Sequence, residues 1–295
     1  MKHQCYDYAV IGGDMRQVYL AEKLAQDGGR ICHYALCTDP HKHLMIDSAS
    51  VSAAASLPQA CSTSSCIICP IPFSQNGNLL NQSAIHEPIF LEQILSCLKS
   101  GQSFFAGSIP EIFQSAAKGA GVHVYDLMND PALAYFNTLA TAEGAICEAM
   151  KLSPLNLHKS SCLVLGYGKC GTTLVHYLRA LFCHVCVATD QEEELAKAAL
   201  VAGSTSTLSR LEASIKDFDF IFNTIPAPVL TADLLALMKP DAIIIDIASA
   251  PGGVDYTAAR QLGISARLYP GLPGKYAPAS SAGAIKATIK ATLKE

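Results

Sequence analysis

Short apolar runs alternate along the chain with longer segments in which apolar residues recur every three or four positions. The short runs fit buried β-strands, and the longer segments fit amphipathic helices. Strands alternating with helices are typical of parallel sheets covered by helices on both faces, so the pattern predicts an α/β protein. In the first half, strands are predicted at 7–11, 30–36, 66–71, 104–106 and 122–125, and helices at 14–27, 86–99 and 111–118.

The second half carries the same alternation. A helix-compatible segment without internal proline runs from Pro131 to Leu152 and is ended by Pro154. We expect this long helix to join two domains, because 295 residues exceed what one core usually organises. Beyond it, strands are predicted at 162–165, 184–189, 218–224, 242–247 and 266–269, and helices at 170–181, 192–201, 231–238 and 255–261.

This succession predicts two Rossmann-like, doubly wound domains joined by the long helix. The first domain, flavodoxin-like or Rossmann-like, is predicted to span residues 1–150, and the second, a dinucleotide-binding domain, residues 151–279. The second domain is complete without the C-terminal helix predicted within residues 280–295. We therefore expect that helix to pack on the first domain.

Composition and charge narrow the classes of function. Half of the residues are apolar and only 16% are charged, so the chain can bury a core and is not expected to be disordered. The net charge of −4 lacks the basic surplus of a nucleic-acid-binding protein. The first apolar run ends at Gly12 and is too short for a signal peptide or a membrane span. We expect a cytoplasmic protein without nucleic-acid or membrane partners.

The twelve cysteines fit reduced thiols better than a disulfide framework in such a protein. Cys66 and Cys69 have CxxC spacing, and so do Cys183 and Cys186. Both pairs lie in apolar runs, where the alternation of a strand would direct the two sulfurs to opposite faces and prevent chelation. We expect buried side chains here and no metal site.

A glycine-rich motif, GYGKCG at residues 166–171, directly follows a predicted strand and begins a predicted helix. Gly166 permits a tight turn, Gly168 lets the backbone approach a pyrophosphate, and Gly171 lets helix and strand pack closely. The helix N-terminus supplies N–H groups to the anion. The residues predicted to bind the cofactor here are Gly166, Tyr167, Gly168, Lys169, Cys170 and Gly171.

An acidic residue follows at the spacing expected for dinucleotide binding. Asp190 ends the next predicted strand, 19 positions after Gly171, where it can accept hydrogen bonds from an adenosine ribose. The run Glu192–Glu194 would repel a 2′-phosphate. We therefore expect NAD or NADP as cofactor, with NAD favoured. The alternative is that Asp190 only caps the following helix.

Two further segments end predicted strands at the carboxyl edge, where open α/β sheets bind ligands. We expect them on the nicotinamide side of the cofactor, with ordinary strand-to-helix turns as the alternative. The residues assigned to this edge are Asn223, Thr224, Ile225, Pro226, Ala248 and Ser249.

The first strand-to-helix turn, Gly12–Arg16, lacks the full dinucleotide motif, so we expect no second nucleotide. Arg16 lies in the first turn of a helix, where its charge opposes the helix dipole. A bound anion explains this cation better than helix stability does. A solvent-exposed arginine is the alternative.

Six motifs follow one another along nearly the whole chain. They are IGGDMR near the start, NTLATAEG at 137–144, GYGKCG at 166–171, NTIP at 223–226, DIASAPGGVD at 246–255 and PGLPGKYAP at 270–278. The last two are far more specific than the dinucleotide motif. Together the six resemble the A subunits of bacterial dipicolinate synthase, with Ala140 where that pattern has proline.

The resemblance implies an oxidoreductase of spore formation. It would oxidise hydroxytetrahydrodipicolinate, or the dehydrated dihydrodipicolinate, to dipicolinate with a nicotinamide cofactor, in a complex with a flavoprotein B subunit. The family architecture implies a substrate cleft between two domains, and we also expect a homo-oligomer. The alternatives are a non-catalytic cofactor-binding partner subunit and a stand-alone hydroxyacid or amino acid dehydrogenase. The chain shows no clear His–acid pair of the hydroxyacid type.

A dicarboxylate substrate needs cations or N–H donors, for which Arg16 and Lys275 are the candidates. Asn137 and Thr141, in the 137–144 motif, are further candidate substrate contacts. Aromatisation drives the loss of the ring proton, so only a modest base is required. The candidate bases are Glu143 and Asp14.

Overall fold

The computed structural model contains two compact units. It describes residues 6–38, 50–74, 76–83 and 87–294. One unit comprises the chain up to Phe136 together with the segment from Ala277 onward, and the other spans Asn137–Tyr276. The division thus falls near the start of the long helix, whereas the sequence placed it at residue 150.

The first unit is built on a six-stranded parallel sheet. The strands are β1 (Tyr6–Ile11), β2 (Ile31–Tyr34), β3 (Val51–Ala53), β4 (Ser64–Ile68), β5 (Ser103–Ala106) and β6 (His123–Asp126), in the order β3-β2-β1-β4-β5-β6. The helices are α1 (Met15–Gln26), α2 (Leu57–Ser62), α3 (Leu91–Cys97), α4 (Glu111–Gly119) and, at the end of the chain, α12 (Pro278–Leu293).

The second unit repeats this architecture after the long helix α5 (Pro131–Leu152). Its strands are β7 (Ser161–Leu165), β8 (His184–Ala188), β9 (Ser204–Ser206), β10 (Phe220–Asn223), β11 (Ile243–Asp246) and β12 (Ser265–Leu268), in the order β12-β11-β10-β7-β8-β9. Its other helices are α6 (Lys169–Ala180), α7 (Glu192–Ala198), α8 (Leu211–Ser214), α9 (Ala232–Ala236), α10 (Tyr256–Leu262) and α11 (Leu272–Tyr276).

Counted within its own unit, each sheet has the strand order 3-2-1-4-5-6, which is the Rossmann order. Every pairing within both sheets is parallel. The predicted α/β, doubly wound fold class is confirmed. None of the described helices is long and apolar enough to cross a membrane.

The cysteine pairs follow the alternation of the strands. Cys66 belongs to one core cluster of the first unit and Cys69 to the cluster on the other face of the sheet. Cys183 and Cys186 are likewise divided between the two clusters of the second unit. Burial raises the pKa of the Cys69 and Cys186 thiols. The prediction that these sulfurs point to opposite faces is confirmed, and they are core side chains.

The last helix, α12, packs on α1 within the first unit. Ala282, Ile285 and Ile289 are buried in the cluster that also contains the apolar face of α1. At the end of α1, Asp27 forms ion pairs with two lysines of α12. The C-terminal segment therefore completes one face of the first sheet, which is buried on both faces as parallel sheets usually are.

Several short elements departed from the sequence expectations. β3, α2, β9, α8 and α11 were not predicted, because segments of three to six residues carry little hydrophobic periodicity. β2 ends earlier than expected, and Ala35 directly after it has a positive φ of 55°. The helix predicted at 86–99 is observed as α3, from Leu91 to Cys97, and His86 lies outside the described residues.

Candidate active site

The glycine-rich loop joins β7 to α6 in the second unit. Gly166 has a positive φ of 85°, and a Cβ there would lie 2.6 Å from Oγ1 of Thr224. A Cβ on Gly171 would lie 2.3 Å from the carbonyl oxygen of Gly166. Both glycines are therefore required by the packing of strand, loop and helix, as the motif predicted.

Gly168 has a different environment. It is the N-cap of α6 and is exposed, with a φ of −68° that any residue can adopt. Among the described residues other than its chain neighbours, only Glu194 comes within 4 Å of an ideal Cβ, with Oε1 at 3.9 Å. Neither packing nor backbone conformation requires glycine here. The open space beside the N-terminus of α6 fits the pyrophosphate of a dinucleotide.

Two carboxylates follow β8, and they have different partners. Asp190 is exposed, and its Oδ1 accepts the backbone N–H of Leu208 at 2.9 Å, on the segment after β9. Glu194, in the first turn of α7, accepts the backbone N–H of Tyr167 at 3.0 Å and the hydroxyl of Thr189 at 2.7 Å, both on Oε2. The residue after Asp190 is the N-cap of α7, so the alternative in which Asp190 caps this helix is wrong.

A buried carboxylate fixes the carboxyl edge of the second sheet. Asp246, at the end of β11, is completely buried. It accepts hydrogen bonds from the side-chain amide of Asn223 at 2.9 Å and from the Tyr256 hydroxyl at 2.7 Å. It also accepts the backbone N–H groups of Ala248 and Gly253, at 3.0 and 2.8 Å. Burial, and then the bond to Asp246, raises the pKa of Tyr256.

This network ties the end of β10 to the loop after β11. The side chain of Asn223 is buried and fully used within it, so it positions the edge. The next residue, Thr224, donates its hydroxyl to the carbonyl of Leu165 at 2.8 Å, directly before the glycine-rich loop. Pro226 and Ser249 are exposed at the same edge. The structure thus brings the residues predicted for the nicotinamide side to the neighbourhood of the loop.

The 137–144 motif lies against the dinucleotide helix. The hydroxyls of Thr138 in α5 and Thr173 in α6 are 2.6 Å apart. Thr173 lies two residues beyond the glycine-rich loop. Asn137 and Thr141 flank this contact within a turn of α5, and the Thr141 hydroxyl donates to the Asn137 carbonyl at 2.8 Å. Both predicted substrate contacts therefore lie beside the N-terminal half of α6.

Glu143 lies farther along the same pair of helices. Its Oε1 accepts the Tyr177 hydroxyl at 3.0 Å, and both residues line a cavity of about 580 Å³ with Met150 and neighbouring apolar side chains. Burial, and then the bond to Glu143, raises the pKa of Tyr177. At 1.5 Å per residue, Tyr177 is about 13 Å along α6 from Gly168. This candidate base therefore lies near the end of α6 that is remote from the loop.

In the first unit, the turn between β1 and α1 holds a buried arginine. Arg16 is only 5% exposed, so the alternative of a solvent-exposed side chain is wrong. Its Nε and Nη2 donate to the two carboxylate oxygens of Asp14, at 2.9 and 2.7 Å, and Nη2 also donates to the carbonyl of Ile71 at 2.6 Å. Asp14 caps α1 as well. One anion facing this cation is thus supplied by the chain itself.

Lys275 belongs to a cluster that sequence reasoning did not find. Its ammonium pairs with the buried carboxylate of Glu148, which the Tyr276 hydroxyl also contacts. Lys151 donates to the Tyr276 hydroxyl at 2.8 Å. Burial of Glu148 is outweighed by the bonds from Lys275 and Tyr276, which hold its pKa below the ordinary value. In the sequence, the available sign of this cluster was an acidic residue, Glu148, on the otherwise apolar stripe of α5.

Comparison with known proteins agrees with this geometry. Residues 7–128 match the N-terminal domain of dipicolinate synthase A subunits, and residues 135–255 match the NAD binding domain of D-isomer specific 2-hydroxyacid dehydrogenases. Over 286 residues the chain is 30% identical to the dipicolinate synthase A subunit of Bacillus subtilis (strain 168), covering 97% of this chain and 94% of the relative. The chain belongs to the family of dipicolinate synthase A subunits. The resemblance identified from its motifs is confirmed.

Solved structures place the fold in the same family. The dipicolinate synthase A subunit from Bacillus halodurans is 27% identical, with a TM-score of 0.83 and 98% of each chain covered. The A subunit from Bacillus subtilis is 26% identical, with a TM-score of 0.80 and 98% and 96% covered. A transhydrogenase from Sinorhizobium meliloti shares the fold at 15% identity, with a TM-score of 0.69 and 98% and 93% covered. In this member of the A-subunit family, the second unit is an NAD-binding domain of the dehydrogenase type.

Proposed function

We propose that this chain is the oxidoreductase subunit of a dipicolinate synthase. It oxidises dihydrodipicolinate, or hydroxytetrahydrodipicolinate after loss of water, to dipicolinate, using NAD or NADP. The observation that carries the proposal is the open glycine-rich loop at Gly168, in a chain that is 30% identical over 97% of its length to a dipicolinate synthase A subunit. Because that relative is named as one subunit of a synthase, we also propose a B subunit, of flavoprotein type, as partner.

The reaction removes two hydrogens from the ring. When bound, the nicotinamide would supply the acceptor for a hydride from a ring carbon, and a base of the chain would take one proton, so the products would be dipicolinate, NADH or NADPH, and H⁺. The gain of aromaticity drives the loss of the proton, so the protein needs only a modest base. The larger task of the protein is to hold the ring carbon and the cofactor in reacting geometry.

The second unit would hold the cofactor. Backbone N–H groups of the 166–171 loop and of the first turn of α6 bind the pyrophosphate. The segment Thr224–Pro226, together with Ala248 and Ser249, borders the nicotinamide side. The hydrogen bond from Asn223 to Asp246 keeps this edge in place. These roles need no movement of the buried network.

The substrate carboxylates would be bound in part by Arg16. Asp14 and the Ile71 carbonyl engage Nε and Nη2, whereas Nη1 makes no hydrogen bond to the described residues. A guanidinium held in this way presents Nη1 to a carboxylate at little further entropic cost. Asn137 and Thr141 are proposed as polar contacts. Lys275 is proposed as a weaker contact, because Glu148 already balances its charge.

Of the two candidate bases, Asp14 is preferred. It lies beside the arginine proposed to bind substrate, and its side chain is partly accessible. Glu143 is engaged by Tyr177 near the end of α6 that is remote from the loop. Asp14→Asn retains a side-chain oxygen for the helix cap but cannot accept the ring proton. In the full-length protein, this substitution should lower the turnover number and leave the cofactor affinity unchanged.

The test of the function is an assay of the purified chain, alone and with the flavoprotein subunit, under anaerobic conditions with a control lacking enzyme. The exclusion of oxygen matters because the substrate ring can also be oxidised chemically. We expect dipicolinate and reduced nicotinamide in equal amounts, with no turnover of 2-hydroxy acids or alanine. Turnover of 2-hydroxy acids or alanine, without formation of dipicolinate, would instead identify a stand-alone dehydrogenase. Dipicolinate formed only with the flavoprotein, without reduced nicotinamide and in no more than one equivalent per flavin, would identify a non-catalytic partner subunit.

A further inference from the structure

Glu194 lies at the glycine-rich loop, although the dinucleotide motif does not call for an acid at this position. The motif assigns the ribose to the acid at the end of the second strand, which here is Asp190. Glu194 follows four residues later, in the first turn of α7. The two acids therefore compete for the same role, and the structure shows which of them borders the loop.

The contacts of Asp190 direct it away from the loop. Its Oδ1 accepts the N–H of Leu208, which follows β9, so the carboxylate helps to fix the connection at the edge of the sheet. None of the described hydrogen bonds of Asp190 involves residues 166–171. Asp190 thus has the sequence position that the motif assigns to the ribose, but its carboxylate is bonded to the backbone of Leu208 and serves to fix that segment.

Glu194, in contrast, is fixed at the loop through one oxygen. Oε2 accepts the N–H of Tyr167, between the first two glycines, and the hydroxyl of Thr189, which is buried at the end of β8. The other oxygen, Oε1, is the atom that lies 3.9 Å from the missing Cβ of Gly168. An adenosine ribose bound between the end of the second strand and the second glycine would lie beside this oxygen.

We propose that Glu194, rather than Asp190, is the residue that determines the choice between NAD and NADP. Its Oε1 accepts the ribose hydroxyls of NAD, and its charge repels the 2′-phosphate of NADP. Thr189 acts as a positioning residue, because its hydroxyl holds Oε2 in place. The inference rests on the proposed function, since it requires a nicotinamide dinucleotide as the ligand of the second unit.

The neighbouring glutamates allow a charge-matched control. Glu193 is exposed and pairs with Lys197 at 2.6 Å, so its carboxylate is engaged on the surface of α7. If repulsion came from the acidic run as a whole, neutralising Glu193 would have the same effect as neutralising Glu194. If repulsion comes from the carboxylate at the loop, only Glu194 matters.

The experiment measures equilibrium binding of NADH and NADPH to the full chain by calorimetry, without turnover. The variants are Glu194→Gln, Asp190→Asn, Glu193→Gln and, as a second perturbation of the same contact, Thr189→Val. We expect the wild type to prefer NADH. Glu194→Gln should strengthen NADPH binding by about tenfold or more, equivalent to about 1.4 kcal/mol, with a smaller change for NADH. Thr189→Val should shift the ratio less, and Glu193→Gln should leave it unchanged.

Other outcomes would overturn the inference. A ratio that changes in Asp190→Asn but not in Glu194→Gln would return the role to Asp190. Equal gains for both ligands in Glu194→Gln would make Glu194 a plug over the loop, and a wild-type preference for NADPH would exclude repulsion at this site. If the folded wild type binds neither ligand, the proposed function fails first, which is a distinguishable result.

Discussion

The two units share one strand order, yet their first strand-to-helix turns are filled differently. In the first unit, a Cβ on Gly13 would lie 2.4 Å from Cγ of Gln17 and 3.3 Å from Cβ of Pro70. In the second unit, the space at Gly168 is bordered only by a carboxylate oxygen of Glu194 among the described residues outside the local chain. One turn is closed by its own side chains, and the other is open.

The charges at the two turns differ as well. The first turn holds a buried guanidinium, with Asp14 bound to Arg16, whereas the second offers backbone N–H groups beside Gly168 and an exposed lysine, Lys169. A guanidinium binds a carboxylate in a planar, directional way, while a ring of N–H groups suits a pyrophosphate. Topology thus supplies two equivalent edges, and the residues in the turn decide what each can bind.

The largest expected effect comes from closing the open turn. Gly168→Val places a branched side chain where the backbone must approach the pyrophosphate, and the φ of −68° accommodates it without strain. Binding of NADH should become undetectable by calorimetry, while the thermal unfolding midpoint stays close to that of the wild type. Unchanged binding in a folded Gly168→Val protein would remove the cofactor from this loop.

A glycine substitution in the turn of the first unit should have the opposite profile. Gly13 has a φ of 83° and no space for a Cβ. Gly13→Ala should therefore destabilise the fold by about 1 kcal/mol or more without altering NADH affinity in the folded fraction. A variant that loses cofactor affinity at full stability would show that the first turn also contacts the dinucleotide.

The next effect tests the cation of the closed turn. If a charge-assisted contact is worth roughly 1.5 to 3 kcal/mol, Arg16→Ala should weaken dipicolinate binding by about ten- to a hundredfold, with cofactor affinity unchanged. Removal of the guanidinium also leaves Asp14 unpaired, so Arg16→Lys is the control that keeps a positive charge. Dipicolinate is titrated into the cofactor-loaded protein. Wild-type affinity in Arg16→Ala would place the carboxylates elsewhere.

Much of the second unit could be predicted from the sequence, because its candidate site depends on backbone conformation, which the spacing of glycines reveals. The spacing of Gly166, Gly168 and Gly171 after an apolar strand encodes a local structure, and that structure is observed. The fold class was equally accessible, since strands buried on both faces appear as apolar runs. Short elements such as β3, α2 and β9 were not, because a segment of three to six residues is too short to show a periodicity.

Side-chain partners could not be predicted, because the sequence pattern does not show which residues meet in the fold, whether they are distant or close along the chain. Glu148 and Lys275 are separated by more than a hundred positions and meet only in the folded unit. Glu194 was noted as one of three like charges, and nothing in the run distinguishes the glutamate that reaches Tyr167. Arg16 was expected to face an anion, but Asp14, two residues before it, was not identified as that anion.

A smaller effect is expected at the cation of the second unit. Lys275 is about half exposed, so removing it should cost roughly 1 kcal/mol in the free energy of unfolding, despite the burial of Glu148. Urea unfolding of Lys275→Ala, Glu148→Gln and the double variant measures the coupling. Dipicolinate binding should weaken less in Lys275→Ala than in Arg16→Ala. A larger loss of dipicolinate affinity at Lys275 would reverse the assignment of the main carboxylate contact.

The smallest effect is expected at the ion pairs that hold the C-terminal helix α12 on α1. The C-terminal helix belongs to the first unit and not to the second. Oδ2 of Asp27, directly after α1, lies 2.6 Å from Nζ of Lys290 and 2.9 Å from Nζ of Lys286, and both lysines belong to α12. Hydrogen bonds from Lys290 and then Lys286 lower its pKa from 3.8 to about 2. Because the folded pKa is the lower one, this stabilisation is present above pH 3.8 and is lost as the pH falls toward 2.

Asp27→Asn should therefore reduce stability slightly at neutral pH and flatten the loss of stability between pH 3.8 and about 2, the interval in which the wild-type carboxylate takes up its proton. The three charges are partly exposed to solvent, so added salt should diminish the difference between the two proteins. Glu193→Gln serves as the control, because its pair with Lys197 lies within one helix and joins no elements. Acid unfolding followed by circular dichroism checks the expectation. Identical curves for Asp27→Asn and the wild type would mean that α12 is held on α1 by its buried apolar face alone.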